Sequence, residues 1–302
     1  MKKILVLGGN GFIGKNLCTL MAEAGEEVYS FDMSLPEKKD SRVKYLAGDF
    51  FDDYTLSSIL KGMDVVYHAI CTLNPGNSNE KCLMGYERDF VQTAKLCHMI
   101  KDTDCRLIFL SSGGTVYGNQ KIQPISEEAV PIPINHYGNL KLCVENTIRT
   151  FNFQSKTNML VARISNPYGP GQDYLKGVGF IDAALKRAIH QETIEVWGDG
   201  NIVRDYIYID DVCRMLYRLA SYDGPIEVFN LSSNVGTSQN DVLDIIKDLI
   251  PDVNIKYSAG RSVDAGKIIL SNERIMKLID FNLVEISTGI RNYYSYILQK
   301  QI

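Results

Sequence analysis

Through the first half of the chain, short apolar and β-branched runs alternate with amphipathic stretches. KILVL (3–7), EVYSFD (27–32), VKYLAG (43–48), DVVYHAI (64–70), RLIFLSS (106–112) and MLVARI (159–164) read as strands. The segments near 12–24, 54–61, 86–101 and 137–153 carry helical spacing. Strands that are apolar on both faces and separated by helices predict a parallel sheet covered on both sides, an α/β doubly wound architecture. In such a sheet, ligands sit beyond the carboxyl ends of the strands.

After Ile164 the pattern changes. The loops NPYGPGQ (166–172) and WGDGN (197–201) frame a helix near 179–190, and DYIYIDDV (205–212) and EVFNLSS (227–233) resume a strand-like texture. This predicts two lobes: a doubly wound domain from 1–165 with 205–231, and a smaller, discontinuous α/β lobe from 166–204 with 232–302. A chain of 302 residues can bury a sizeable core, and its net charge of -4 offers no footprint for nucleic acid. Seven dispersed cysteines and four histidines, without ligand spacing, point to reduced thiols in a cytoplasmic protein and to no metal site. No run is long enough to span a membrane, and the apolar part of MKKILVLGG is too short for a signal peptide.

The first strand runs into GGNGFIG (8–14), with Gly8, Gly11 and Gly14 ahead of a helix that Gly25 would stop. Glycines there allow a tight turn and close approach to a pyrophosphate, which then faces the helix N-terminus. Asp32 closes the second strand, where a carboxylate accepts ribose hydroxyls and repels a 2′-phosphate, favouring NAD over NADP. Asp49 ends the third strand, where it can meet the adenine edge. A fifth strand delivers SSGGTVYG (111–118), with two hydroxyls and two glycines at its end. In HYGNLK (136–141), Tyr137 and Lys141 stand at i and i+4 on one helical face, and an ammonium near a phenol makes a workable general base.

GGNGFIG, Asp32, SSGGTVYG, YGNLK, NPYGPGQ, WGDGNIVRDYIYIDD and RSVD (261–264) occur in an order that resembles the extended short-chain dehydrogenase/reductase superfamily. Within it the chain is similar to the NAD-dependent nucleotide-sugar epimerases and dehydratases, nearest the UDP-glucose 4-epimerase type. The resemblance implies a Rossmann domain, bound NAD and a homodimer paired through the helices near 86–101 and 137–153. It implies that Tyr137 takes the proton from a sugar C4 hydroxyl while NAD takes the hydride. The 4-keto sugar then turns over and receives the hydride on its other face. Lys141 would hold the nicotinamide ribose, and Phe12, Ile13, Asp49, Phe50 and the segment from Ala69 and Ile70 to Leu73 would line the cofactor site. Asn166, Arg204 and Arg261 would hold the diphosphate of a nucleotide-diphosphate sugar, a role suited to planar arginine forks. The position that would admit an N-acetyl group falls near Ile268.

Two positions depart from the pattern. The family's catalytic Ser or Thr falls on Gly113, leaving Ser112 or Thr115 to supply the hydroxyl, and Asp89 stands where Asn is usual. Gly114 and Thr115 replace the Asp–Glu pair of the dehydratase relatives, which argues against elimination chemistry. The expected function is C4 epimerisation of UDP-glucose and UDP-galactose or their N-acetyl forms. The alternatives are an NAD(P)H-dependent 4-keto-sugar-nucleotide reductase and a non-catalytic dinucleotide-binding regulator.

Overall fold

The computed structural model describes residues 1–173, 179–259 and 266–300. Its central sheet has seven parallel strands in the order β3-β2-β1-β4-β5-β6-β10. They are β1 (Lys3–Leu7), β2 (Glu27–Asp32), β3 (Val43–Ala47), β4 (Val65–His68), β5 (Arg106–Ser112), β6 (Leu160–Ile164) and β10 (Val228–Leu231). The connections run through α1 (Phe12–Glu23), α2 (Asp53–Ile59), α3 (Cys82–Met84), α4 (Val91–Ile100), α5 (Gly113–Val116), α6 (His136–Ser155) and α8 (Ile209–Leu219). A π-helical turn over Gly85–Phe90 joins α3 to α4. The chain builds β1 to β3 towards one edge and then returns to place β4 on the other side of β1. That reversal opens a crevice at the carboxyl ends of β1 and β4.

Alternate residues of each strand feed opposite faces. Ile4, Val6, Tyr67, Ile108 and Leu110 pack with Leu17 and Met21 of α1 and Val212 and Leu216 of α8. Leu5, Leu7, Val66, Leu107 and Phe109 pack with Leu96 and Ile100 of α4 and Val144 and Ile148 of α6. Both faces are dry, which explains why these strands read as unbroken apolar runs.

The second lobe contains β7 (Asn166–Tyr168), β8 (Ile194–Trp197), β9 (Val203–Tyr208), β11 (Gly236–Ser238), β12 (Ile255–Ser258) and β13 (Lys267–Ile268). α7 (Phe180–Ile189), α9 (Gln239–Leu249) and α11 (Ile286–Lys300) cover a core that includes Tyr168, Leu185, Tyr206, Tyr208, Val242, Ile290 and Tyr293. The run 205–212 divides in a way its texture does not predict. Residues up to Tyr208 form β9, which pairs with β7, β11 and β13 of the small lobe, and Ile209 begins α8, which returns to the large sheet. The alternation explains the split: Tyr206 and Tyr208 enter the small core while Ile207 enters the large one. The tail also crosses back, since Ile275 of α10 (Glu273–Met276) and Phe281 pack on the first lobe.

Asp205 ties the lobes together. Its fully buried carboxylate accepts hydrogen bonds from Ser165 Oγ, Ser233 N and Oγ, Asn234 N and Leu270 N at 2.8–3.2 Å. Burial outweighs these donors and pushes the carboxyl up to about 6. No described helix is long and apolar enough to cross a membrane.

Candidate active site

The glycine loop is built by close backbone contacts. Gly8 N and Gly9 N both donate to Phe31 O, at 2.9 and 3.1 Å, and Gly11 N donates to Gly8 O at 3.0 Å. A Cβ on Gly14 would lie 2.1 Å from Gly8 O, so the first turn of α1 can close on the loop only with glycine there. Gly11 is the N-cap and supplies no side-chain acceptor, which leaves the first-turn amides of α1 open to an anion. Asp32 accepts from Asn10 N at 3.0 Å and Met33 N at 2.8 Å, fixing the loop to the end of β2.

At the end of β5 the two serines diverge. Both line the crevice, but Ser111 Oγ is committed, donating to Glu145 Oε1 at 2.5 Å, whereas Ser112 Oγ has no such partner among the described residues. Gly113 opens α5, and a Cβ on it would lie 2.2 Å from Leu270 Cδ1. The space a hydroxyl-bearing side chain would take at position 113 is therefore filled from the other lobe. Thr115 Oγ1 makes only a long contact to Ser112 O, 3.4 Å, and is not among the lining residues.

Asn135 caps α6, its Oδ1 accepting from Gly138 N at 2.8 Å. Gly138 lies against Thr115 O so closely that a Cβ would approach to 2.6 Å, which seats the first turn of α6 on α5. That seating brings Tyr137 into the crevice. One turn on, the buried Lys141 Nζ donates to Leu110 O at 2.9 Å and lies 4.7 Å from the Phe109 ring centroid and 5.6 Å from that of Tyr137. Burial raises the Tyr137 phenol above its ordinary value, Lys141 partly offsets this, and Cys71 and Asp89 add to the rise. The ammonium moderates the phenol without overcoming burial. Burial alone would lower Lys141, but Tyr137, Cys71, Asp89 and Glu145 together hold it above its ordinary value.

These groups share one cavity of about 250 Å³. Gly8, Gly11, Phe12, Ile13, Gly14, Ala69, Ser112, Tyr137 and Lys141 line it. Ile70 backs Gly8. Asp49 is exposed and accepts from Phe51 N, while Phe50 is buried against His68, ring centroids 5.0 Å apart, in the core beneath the site. Asn166 is held by β9, its Nδ2 donating to Asp205 O at 2.9 Å, and Arg204 Nη1 donates to Val203 O at 3.0 Å. Arg261 lies outside the described residues. Ile268 is buried with Val116, Tyr117, Ile125 and Leu270 and does not line the cavity.

Leu110, Ser111, Ile164, Ser165 and Pro167 also line the cavity and were not singled out from the sequence. The rule that ligands sit beyond strand ends, applied to β6 as it was to β5, would have found Ser165. The network behind them carried no local signal. Arg163 grips Glu145 through Nε and Nη2, at 2.6–3.2 Å, and its Nη1 donates to Tyr117 Oη, which donates to Asn230 Oδ1, both at 2.8 Å. Among the described residues no group of His, Cys, Asp and Glu is arranged to hold a metal ion.

The chain as a whole is similar to known proteins. UDP-glucose 4-epimerase of Halalkalibacterium halodurans is 27% identical over 297 residues, covering 91% of this chain and 89% of that one. An Escherichia coli dTDP-4-dehydro-6-deoxyglucose reductase is 29% identical over 293 residues, 90% of each chain. The structure of Thermotoga maritima UDP-glucose 4-epimerase with UDP-glucose superposes with a TM-score of 0.92 at 26% identity, covering 99% of this chain and all of that one. The model of the NAD-dependent epimerase/dehydratase family matches residues 4–232, and to that family this chain belongs.

Proposed function

We propose that this protein epimerises C4 of a nucleotide-diphosphate sugar, UDP-glucose and UDP-galactose or their N-acetyl forms, with NAD held throughout the cycle. One observation carries the proposal: the uncapped N-terminus of α1 and the Tyr137–Lys141 pair line the same cavity. The site fits the cofactor, because Gly11 leaves the first-turn amides of α1 uncapped and lines the cavity beside Gly8 and Gly14. Gly8, Gly11, Phe12, Ile13 and Gly14 would hold the diphosphate and Asp32 the adenosine ribose, with Ala69 and Ile70 against the nicotinamide end. Bound there, NAD would supply a reversible hydride acceptor for the sugar carbon. Tyr137 Oη takes the proton of the C4 hydroxyl and gives it back. Lys141, anchored on Leu110 O, keeps a positive charge beside that phenol and would hold the nicotinamide ribose. Ser112 supplies the hydroxyl that orients the sugar, since it lines the cavity and Thr115 does not. Asn166, Arg204 and Arg261 would take the sugar-nucleotide diphosphate.

The reductase relative supports a second reading, reduction of a 4-keto-sugar nucleotide by free NAD(P)H. A single assay separates the two. Purified protein incubated with UDP-glucose or UDP-N-acetylglucosamine and no added cofactor should yield the C4 epimer. Turnover of a 4-keto sugar only with added NAD(P)H would establish the reductase instead. Tyr137→Phe should lower turnover by at least about 10²-fold, the scale of a lost general base, while retaining NAD; near-normal turnover would remove Tyr137 from the mechanism. We also propose a homodimer formed through α4 and α6, which expose Val91 and Phe153. Light scattering gives the mass that tests it.

A further inference from the structure

Asp89 lies on the π-helical turn and is 5% exposed. Gly85 brings that turn close: a Cβ there would lie 2.3 Å from Leu73 Cδ1 and 3.2 Å from Leu140 Cδ2 of α6. Such turns are frequent at functional sites, where the extra residue re-aims a side chain. Asp89 Oδ2 receives Thr72 N at 2.8 Å, Thr72 Oγ1 at 2.9 Å and the Cys71 thiol at 3.5 Å. All three donors thus converge on a single carboxylate oxygen. Oδ1, equally buried, has no partner within the protein.

The surroundings account for every neighbouring charge. On β4, His68 is neutral, driven down to about 3 by burial and by Lys141. Thr93 Oγ1 donates to Asp89 O, so it accepts from His68 Nε2. On α6, Lys141 is the nearby cation, and Glu145 is committed to Arg163. On the β4–α3 connection, the Cys71 thiol is raised, first by burial. Asp89 forms no ion pair among the described residues, and it touches Cys71, which lines the cavity together with Tyr137 and Lys141.

We propose that Asp89 is a positioning residue of this site: it seats Thr72 and Cys71, of which Cys71 lines the cavity, and places a fixed negative charge behind the Tyr137–Lys141 pair. The seat alone would need only a neutral acceptor. The charge does something further, opposing ionisation of the phenol and balancing Lys141. An ammonium left unopposed would favour a standing phenolate, a trapped base rather than a reversible one. With Asp89 present, Tyr137 holds its proton until a ligand changes the field.

The proposal rests on Tyr137 being the base, and its test is chosen to fail separately from that assignment. In Asp89→Asn an acceptor remains for Thr72 but the charge is gone. The Tyr137 phenol, titrated by ultraviolet absorbance of tyrosinate in wild type and in each variant against the matching Tyr137→Phe background, should ionise at least about half a pH unit lower. The acid limb of the kcat/KM profile should move the same way. Thr72→Val loses one seating hydrogen bond and keeps the charge, so it should leave both unshifted. An unmoved phenol in Asp89→Asn, or an equal shift in Thr72→Val, overturns the charge role. If Tyr137→Phe remains active the base assignment falls, yet the phenol titration still reports on Asp89.

Discussion

Two buried carboxylates flank the Tyr137–Lys141 pair, and they are treated in opposite ways. Glu145 follows Lys141 by one turn of α6, and both its oxygens are engaged, by Ser111 and by the Arg163 fork. Asp89, on the π-helical turn packed against α6, has one oxygen crowded with donors and the other bare. A fully satisfied buried network fixes geometry, because any rearrangement strands a charge in a low-dielectric interior. A half-satisfied group adds little rigidity and leaves its field acting on its neighbours. On this comparison the β5–β6 side of the site is scaffold and the β4–α3 side is tuning.

The largest expected effect tests the scaffold. Glu145→Gln leaves the Arg163 guanidinium buried without its counter-charge, a situation that costs about 3–5 kcal/mol. Urea denaturation should show that loss, with Tyr117 and Asn230 released from their order. A loss under about 1 kcal/mol would mean that Arg163 finds another partner and that Glu145 is no lock.

What was legible from the sequence follows the same division. The glycine loop, Asp32 and the Tyr137–Lys141 pair were readable because each acts within a short stretch whose strand–turn–helix context is also local. The network was not readable, since Glu145, Arg163, Tyr117 and Asn230 come from separate elements that meet only once β5, β6 and β10 are adjacent. The π turn was hidden for another reason. Its extra residue sits inside a helical stretch that reads continuously from 86 to 101, so Asp89 looked like an unusual residue on an ordinary helix. Gly113 was visible as an anomaly, but its cause, Leu270, comes from far along the chain, just past β13.

That anomaly supplies the next prediction. Gly113 backs onto Arg163 O as well as Leu270, so it belongs to the scaffold side. Gly113→Ser should destabilise by about 1–2 kcal/mol through overpacking, without raising turnover. Pairing it with Leu270→Val, which withdraws the Cδ1 atom, should cost less than the two changes added together. Strict additivity in thermal unfolding would show that Leu270 does not hold the space.

The smallest effect is the sharpest test of the comparison. Asp89→Asn keeps an oxygen for Thr72 N and Oγ1, and its amide nitrogen can take the place of an atom that was already without a partner. Lys141 loses an opposing charge with which it forms no ion pair and keeps its hydrogen bond to Leu110 O, whereas Arg163 would lose the carboxylate it grips. The stability loss should therefore stay below about 1 kcal/mol, well short of the Glu145→Gln loss, even though both substitutions remove one buried negative charge. Measured side by side at one pH, the two isosteric variants separate a carboxylate that holds the fold from one that acts on the phenol. Equal losses would put both carboxylates in the scaffold.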